Sequence, residues 1–412
     1  MSDLSTLLTV VLATGDGKPL RPLAKRRTVA AINFGGSYRI IDFALANCLN
    51  SRLRRVYVMT QYNSFSLQNH LRDGWSIYKA DLGEFISPVT PPIRDRAISY
   101  SGAAHVLFHN LYLLQRDTSE HVLVCSGEQV YRMDYAALVE RHLATRADAT
   151  LAGFRADGQI GNATEFRMQV DVDGCVTTLT RTGEGNGEMA DDWSSMGIMV
   201  VRRALLVELL EKAGETGSRD MQLEHLVTSW MLGRHRVLGY EFGGPTGRVS
   251  QDRYWRRMTT LDDYFEANMD LLQLEPPMDL YQKDWPIRTY HRQQPPARTV
   301  PGASSNEGIC VNSIIASGTV IAGGGVNHSV LADGCLIDDA ATVEDSILFP
   351  GVRVGPGARV QRAIIDRDVR VPAGFEIGFD SAADSERFAV TPGGVVVVPS
   401  GFDAWDDSQR AR

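Results

Sequence analysis

The feature that most narrows the fold is a repeat near the C-terminus. Aliphatic residues stand at Ile314, Val320 and Val326, then Leu331, Ile337 and Val343, then Leu348, Val354 and Val360, then Ile365, Val371 and Ile377. The steps are six, six and five residues, and all twelve positions of the register are aliphatic. Chains with this period wind into a rod in which every coil turns one aliphatic side chain inward on each face, so that stacking buries a continuous apolar column. A hexapeptide-type parallel β-helix of about four coils is therefore expected. His328 is the one histidine inside the repeat. Enzymes built on such rods use a histidine for acyl transfer, but a lone histidine in a turn reads better as a solvated residue.

Upstream, short β-branched runs alternate with longer amphipathic ones: TLLTVVLA, IIDFALANCLNS, RVYVMT, HVLFHNLYLLQR, HVLVCSG, YAALVERHLA, ATLAGF. This is the rhythm of a parallel sheet covered by helices. Ligands in such folds sit at the carboxyl ends of strands, which directs attention to the turns after Ala13, Thr60 and Cys125. Residues 274–302 are rich in proline, lack a period and read as a linker between a domain at 1–273 and one at 303–412.

Charge excludes some partners. With 42 Lys and Arg against 50 Asp and Glu the chain carries a formal −8, so no overall grip on nucleic acid or anionic lipid is expected. Any anion site must be local. One candidate lies between Lys18 and Arg55, where nine basic residues meet one acid, Asp42. Five scattered cysteines without a CxxC fit reduced thiols and a cytoplasmic protein. The apolar run from Leu7 to Ala13 is too short to span a membrane.

The segment VVLATGDGKPL (10–20) is a strand followed by a glycine-containing loop, but neither a Walker A loop nor GxGxxG. It is followed in order by NFGGSYRIIDFALANCLNSRLRRVYVMTQY (33–62), HLRDGWS (70–76), SSMGIMV (194–200), WPIRTY (285–290), PPAR (295–298) and the repeat. Together, from about Leu8 to Val398, these resemble the bacterial ADP-glucose pyrophosphorylase (glucose-1-phosphate adenylyltransferase) family. The resemblance implies an α/β chain: a Rossmann-like nucleotidyltransferase domain with a mostly parallel sheet, then a left-handed parallel β-helix, assembled as a tetramer. It also implies a reaction, ATP plus glucose 1-phosphate to ADP-glucose and pyrophosphate, that feeds glycogen synthesis. Such phosphoryl chemistry depends on positioning and charge neutralisation, hence on basic side chains and on Mg²⁺ held by carboxylates.

Several of the family's charged positions differ here. The phosphate loop G-G-x-G-x-R-L reads Thr14 to Leu20, with Asp16 and Pro19 in place of two basic residues and Lys18 as a partial substitute. The K-P-A-V segment begins with Val29, and the sugar-phosphate lysine is Leu223. One metal carboxylate is Glu128, after Gly127; the other is Arg257, in Tyr254–Trp255–Arg256–Arg257, so the pair's charge goes from −2 to 0. At an effective dielectric of about 20, one such reversal ~4 Å from a divalent ion shifts its binding by several kcal/mol. No catalytic residue and no metal site are therefore expected, and Arg257 is expected to pair with Glu128.

What remains are Gly15, Gly17, Gln61 and Gly102 around a nucleotide-sized cleft, and Ser195, Met196 and Gly197 on the sugar side. The family's anion-effector arginines correspond to Arg26, Arg39 and Arg367, although a family histidine is Asn33 and an arginine is Ser400. The first expectation is a non-catalytic, modulatory subunit with no cofactor. It would form a homo- or hetero-tetramer with a catalytic paralogue, answer to a sugar-phosphate or phosphate effector, and bind ATP or ADP-glucose, if at all, without turnover. Two alternatives stand beside it: an active adenylyltransferase, which would require Mg²⁺, and a stand-alone sugar-phosphate sensor.

Overall fold

A computed structural model describes residues 7–61, 63–91, 100, 102–155, 164–182, 192–216, 222–244, 246–249 and 253–402. The chain forms two compact bodies whose boundaries interleave. The first comprises Met1–Asp16, Ile41–Arg257 and Tyr281–Arg288; the second comprises Gly17–Ile40, Met258–Leu280 and Thr289–Arg412. This differs from a simple division at 273 and 303. Nor is the proline-rich stretch a free tether. Trp285 is buried and donates its Nε1–H to Asn47 Oδ1 at 2.9 Å, and Arg288 Nε donates to Gly74 O at 3.1 Å. Proline removes backbone donors and so prevents regular structure, but it does not prevent side chains from packing.

The first body is built on a nine-stranded sheet. Its parallel core runs His121–Ser126, Leu8–Ala13, Arg55–Thr60, Phe85–Val89, in that spatial order. All but Phe85–Val89 are apolar runs read from the sequence, and Leu8, Val10, Val56, Val58, Val122 and Val124 are fully buried. An antiparallel flank follows: Trp193–Arg202 pairs with His121–Ser126, Ala149–Arg155 and Phe166–Val170. Helices Ile40–Asn50, Phe65–Trp75, Tyr135–Thr145 and Arg203–Thr216 connect the strands. Helix Phe65–Trp75 is anchored by a buried carboxylate: Asp42 Oδ1 accepts Trp75 Nε1–H at 2.8 Å and lies 2.6 Å from His70 Nε2.

In the second body three sheets, of five, five and six strands, form the expected β-helix; all their pairings are parallel except that of Ala389–Val390 with Val396–Val398. The column of buried Leu331, Ile337, Val343, Leu348, Val354 and Val360 follows the predicted register. The first coil departs from it. Ile315, not Ile314, lies in register with Leu331, and Ile321, not Val320, with Ile337. Because Ile314–Ile315 and Val320–Ile321 are both aliphatic pairs, hydrophobicity alone cannot choose between the two frames.

The corners confirm the shift. Asn312, His328, Asp345 and Arg362 share a left-handed backbone, with φ of 44°, 44°, 44° and 46°. His328 is thus one rung of a corner ladder and its Nδ1 sits 2.5 Å from Asp345 Oδ1 of the next coil, which explains its presence without catalysis. Serines just after these corners continue the ladder. Ser329 Oγ accepts from Ser346 N, and Ser346 Oγ accepts from Ala363 N, both at 3.1 Å. All five cysteines are free thiols. Among the described residues no helix is long and apolar enough to cross a membrane.

Candidate active-site cleft

A cavity of about 310 Å³ opens in the first body at the carboxyl ends of the three predicted strands, where Thr14–Asp16, Gln61 and Ser126 line it. Gly102 closes one side. Ser195, Met196 and Gly197 close another, with Leu223 and Glu224 beside them. Sequence reasoning brought most of these residues to one place. Gly17 is an exception: it belongs to the second body, where its φ of +62° starts the turn Lys18–Leu20. Lys18 and Pro19 are exposed there, and Val29 is buried.

The centre of the cleft is Glu128. The N–H of Gly127 bonds back to Leu12 O at 2.8 Å, which turns the chain so that the next side chain points toward the loop after Ala13. Glu128 Oε1 accepts the Gly15 N–H at 2.8 Å. A Cβ on Gly15 would stand only 2.4 Å from Glu128 Oε2, so a larger residue there would require the Glu128 carboxylate to shift. Desolvation raises the Glu128 pKa; the Gly15 N–H and Arg257 oppose the rise, and Asp16 adds to it.

Arg257 reaches this site because strand Trp255–Arg257 pairs antiparallel with Gln129–Tyr131, placing Arg257 opposite Gln129. Its guanidinium, however, does not pair directly with Glu128 as the sequence suggested. Nη1 donates to Glu165 Oε2 at 3.2 Å, and Arg257 acts on Glu128 through space. The more exposed Glu165 loses less hydration in accepting a cation, and Glu128 already holds a backbone donor. On the sugar side, Trp255 Nε1–H donates to Gln129 Oε1 at 3.2 Å, and Gln129 Nε2 donates to Met196 O at 3.0 Å. That relay fixes the irregular segment between Ser195 and Ile198, where the pairing register shifts. Leu223 is buried and supplies an apolar wall where a cation was sought. Glu165 and Glu224 were missed, since nothing local in the sequence marks either as a cleft residue.

Residues 8–274 match the family described as Nucleotidyl transferase, and residues 295–398 match GlmU-like, C-terminal hexapeptide. Full-length relatives are equally clear. Glucose-1-phosphate adenylyltransferase 2 of Vibrio cholerae is 43% identical over 96% of this chain and 98% of its own length. The glucose-1-phosphate adenylyltransferase of Koribacter versatilis is 36% identical over 97% of both. The chain belongs to the glucose-1-phosphate adenylyltransferase family.

Among the described residues, four carboxylates line the cleft (Asp16, Glu128, Glu165 and Glu224) against one guanidinium, Arg257. A formal −3 repels the phosphates that the adenylyltransferase reaction must hold close together. Among the described residues no group of three or more His, Cys, Asp or Glu side chains is placed to hold a metal ion.

Arg26, Arg39 and Arg367, the arginines that the sequence suggested for an anion effector, lie in the second body. Asn33 and Arg39 face each other across the hairpin of Asn33–Phe34 and Tyr38–Arg39, and Arg367 Nη2 donates to Asn33 Oδ1 at 3.5 Å. Beside them is a residue the sequence reading passed over. Arg27 is buried, stacks 5.4 Å from the centre of the Phe349 ring and donates Nη2 to both oxygens of Asp366, at 2.5 Å to Oδ2. Arg26, its neighbour in the chain, is exposed. Burial lowers the Arg367 pKa, and Arg27 and Arg292 add to the effect while Asp366 and Asp368 oppose it. Two buried guanidinium atoms, Arg27 Nη1 and Arg367 Nε, have no hydrogen-bond partner. Neighbouring cations with unused buried donors are suited to an anion. The basic run Lys25–Arg27 was the sequence signal for Arg27, but it did not say which of the three would be buried.

Proposed function

We propose that this chain is a non-catalytic, modulatory subunit of ADP-glucose pyrophosphorylase. It assembles with an active paralogue in a tetramer, in the cytoplasm, and tunes the response of glycogen synthesis to a sugar-phosphate or phosphate effector. One observation carries the reading: among its described residues the cleft holds four carboxylates and a single cation, Arg257. In-line transfer of a nucleotidyl group needs its developing charge neutralised, and these residues would increase that charge. The arginines around Asp366 and Asn33 support the regulatory half, because an effector site requires cations and unused donors but no metal.

The names of the relatives favour a second reading, an active glucose-1-phosphate adenylyltransferase. Pyrophosphate release from ATP, glucose 1-phosphate and Mg²⁺ separates the two. The modulatory reading expects no release above background from the purified chain, and co-purification of a catalytic paralogue from the native host. A homotetramer with sustained turnover would end it.

A further inference from the structure

In the first body two histidine nitrogens are in direct contact. His105 Nε2 and His109 Nε2 stand 2.8 Å apart on the helix Ala103–His109. We propose that these two histidines form a chelating site for a divalent transition-metal ion of tetragonal preference, Ni²⁺ or Cu²⁺. The site goes beyond the modulatory reading and does not depend on it, since it uses no carboxylate of the cleft and no arginine of the second body.

Three observations carry it. The first is spacing. Residues four apart lie one above the other on a helix, and two histidines so placed recur as paired metal ligands. Two metal–nitrogen bonds of about 2.0–2.1 Å span ~2.9 Å when they meet at a right angle and ~3.4 Å when they are tetrahedral. The observed separation matches the right angle, which square-planar and tetragonal ions prefer. The second is protonation. Burial lowers the pKa of both imidazoles, and His109 lowers that of His105 further, so both rings are neutral at pH 7 and able to coordinate. Both side chains are half-buried, and so within reach of an ion from solvent. The third is a pair of orphaned oxygens. The Tyr100 ring packs against both imidazoles, with centroids 5.8 and 6.0 Å away. Its hydroxyl, and Oδ1 of the buried Asn110 that follows His109, are without a hydrogen-bond partner among the described residues. Waters completing the coordination of an ion would donate to such acceptors. His121 and His142 provide the contrast. Their nitrogens are 3.0 Å apart, but His142 is fully buried and its other nitrogen lies 2.9 Å from Thr150 Oγ1.

The test titrates Ni²⁺ alone into the full-length chain, purified without a polyhistidine tag, and follows the heat of binding. One ion per chain is expected, with a Kd on the order of micromolar. His105→Gln and His109→Gln should each weaken it at least about tenfold, because a single imidazole loses the effective concentration of the chelate. His121→Gln should leave it unchanged, and an excess of Mg²⁺, which prefers oxygen, should not displace it. A second measurement needs no variant. In the unmodified chain, diethyl pyrocarbonate labelling read by peptide mass should fall at His105 and His109 when one equivalent of Ni²⁺ is added, and at no other histidine. No binding tighter than about 1 mM, equal affinity in His105→Gln, or protection at other histidines overturns the proposal. Pyrophosphate release by the unmodified chain reads the modulatory proposal separately, whatever the nickel titration shows.

Discussion

The cleft of the first body and the arginine cluster of the second have opposite electrostatics. In the cleft a loop donor is satisfied by an internal carboxylate, and the lining sums to a formal −3. In the cluster, Arg27 is fixed by Asp366 and Arg367 by Asn33, yet each guanidinium keeps a buried donor unused. A site that has completed its own hydrogen bonds has no use for an anion. One that is left incomplete in a buried setting retains a reason to bind one.

The largest effect expected from breaking this contrast is on stability. Arg27→Met should cost about 3–5 kcal/mol, because it leaves the Asp366 carboxylate buried beside an apolar chain. Denaturant unfolding measures it, and a cost below about 1 kcal/mol would show that the pair is not structural. Next in size is binding. Arg39→Ala should weaken fructose 1,6-bisphosphate or sulfate about tenfold, the worth of one charge-assisted hydrogen bond. Equal anion affinity in the two proteins would instead indicate a basic face that contacts another subunit.

The smallest effect concerns Glu128. Its folded pKa is raised by desolvation, so the native state binds the proton more tightly than the unfolded state does. Stability from this group is greatest below the ordinary carboxylate pKa and is lost as pH rises through the folded value. Glu128→Gln should therefore raise the melting temperature modestly at neutral pH, and the gain should vanish on acidification through the carboxylate range. A gain that persists at low pH would assign the effect to something other than ionisation.

Much of the fold was legible because periodicity is a direct imprint of burial. The strand runs from Leu8 to Ala13, Arg55 to Thr60 and His121 to Ser126 are where their hydrophobicity put them. Where a pattern is degenerate, as at Ile314–Ile315, the reading slipped by one residue. The interleaving of the two bodies was not legible, since composition reports that residues 281–288 are irregular but not that Trp285 packs under Asn47. In the cleft the residue types were readable one by one, while their partners were not. Arg257 could be named as a misplaced cation, yet its attachment to Glu165 joins positions 92 residues apart.

The sequence by itself determined the family and the β-helix, because each is written in residue type and spacing along the chain. Only the tertiary structure decided that Glu128 fills its own loop, that Glu165 rather than Glu128 holds Arg257, and that Arg27 is the buried member of its run. Those outcomes depend on distances and desolvation between groups remote in sequence, and neither quantity exists until the chain has folded.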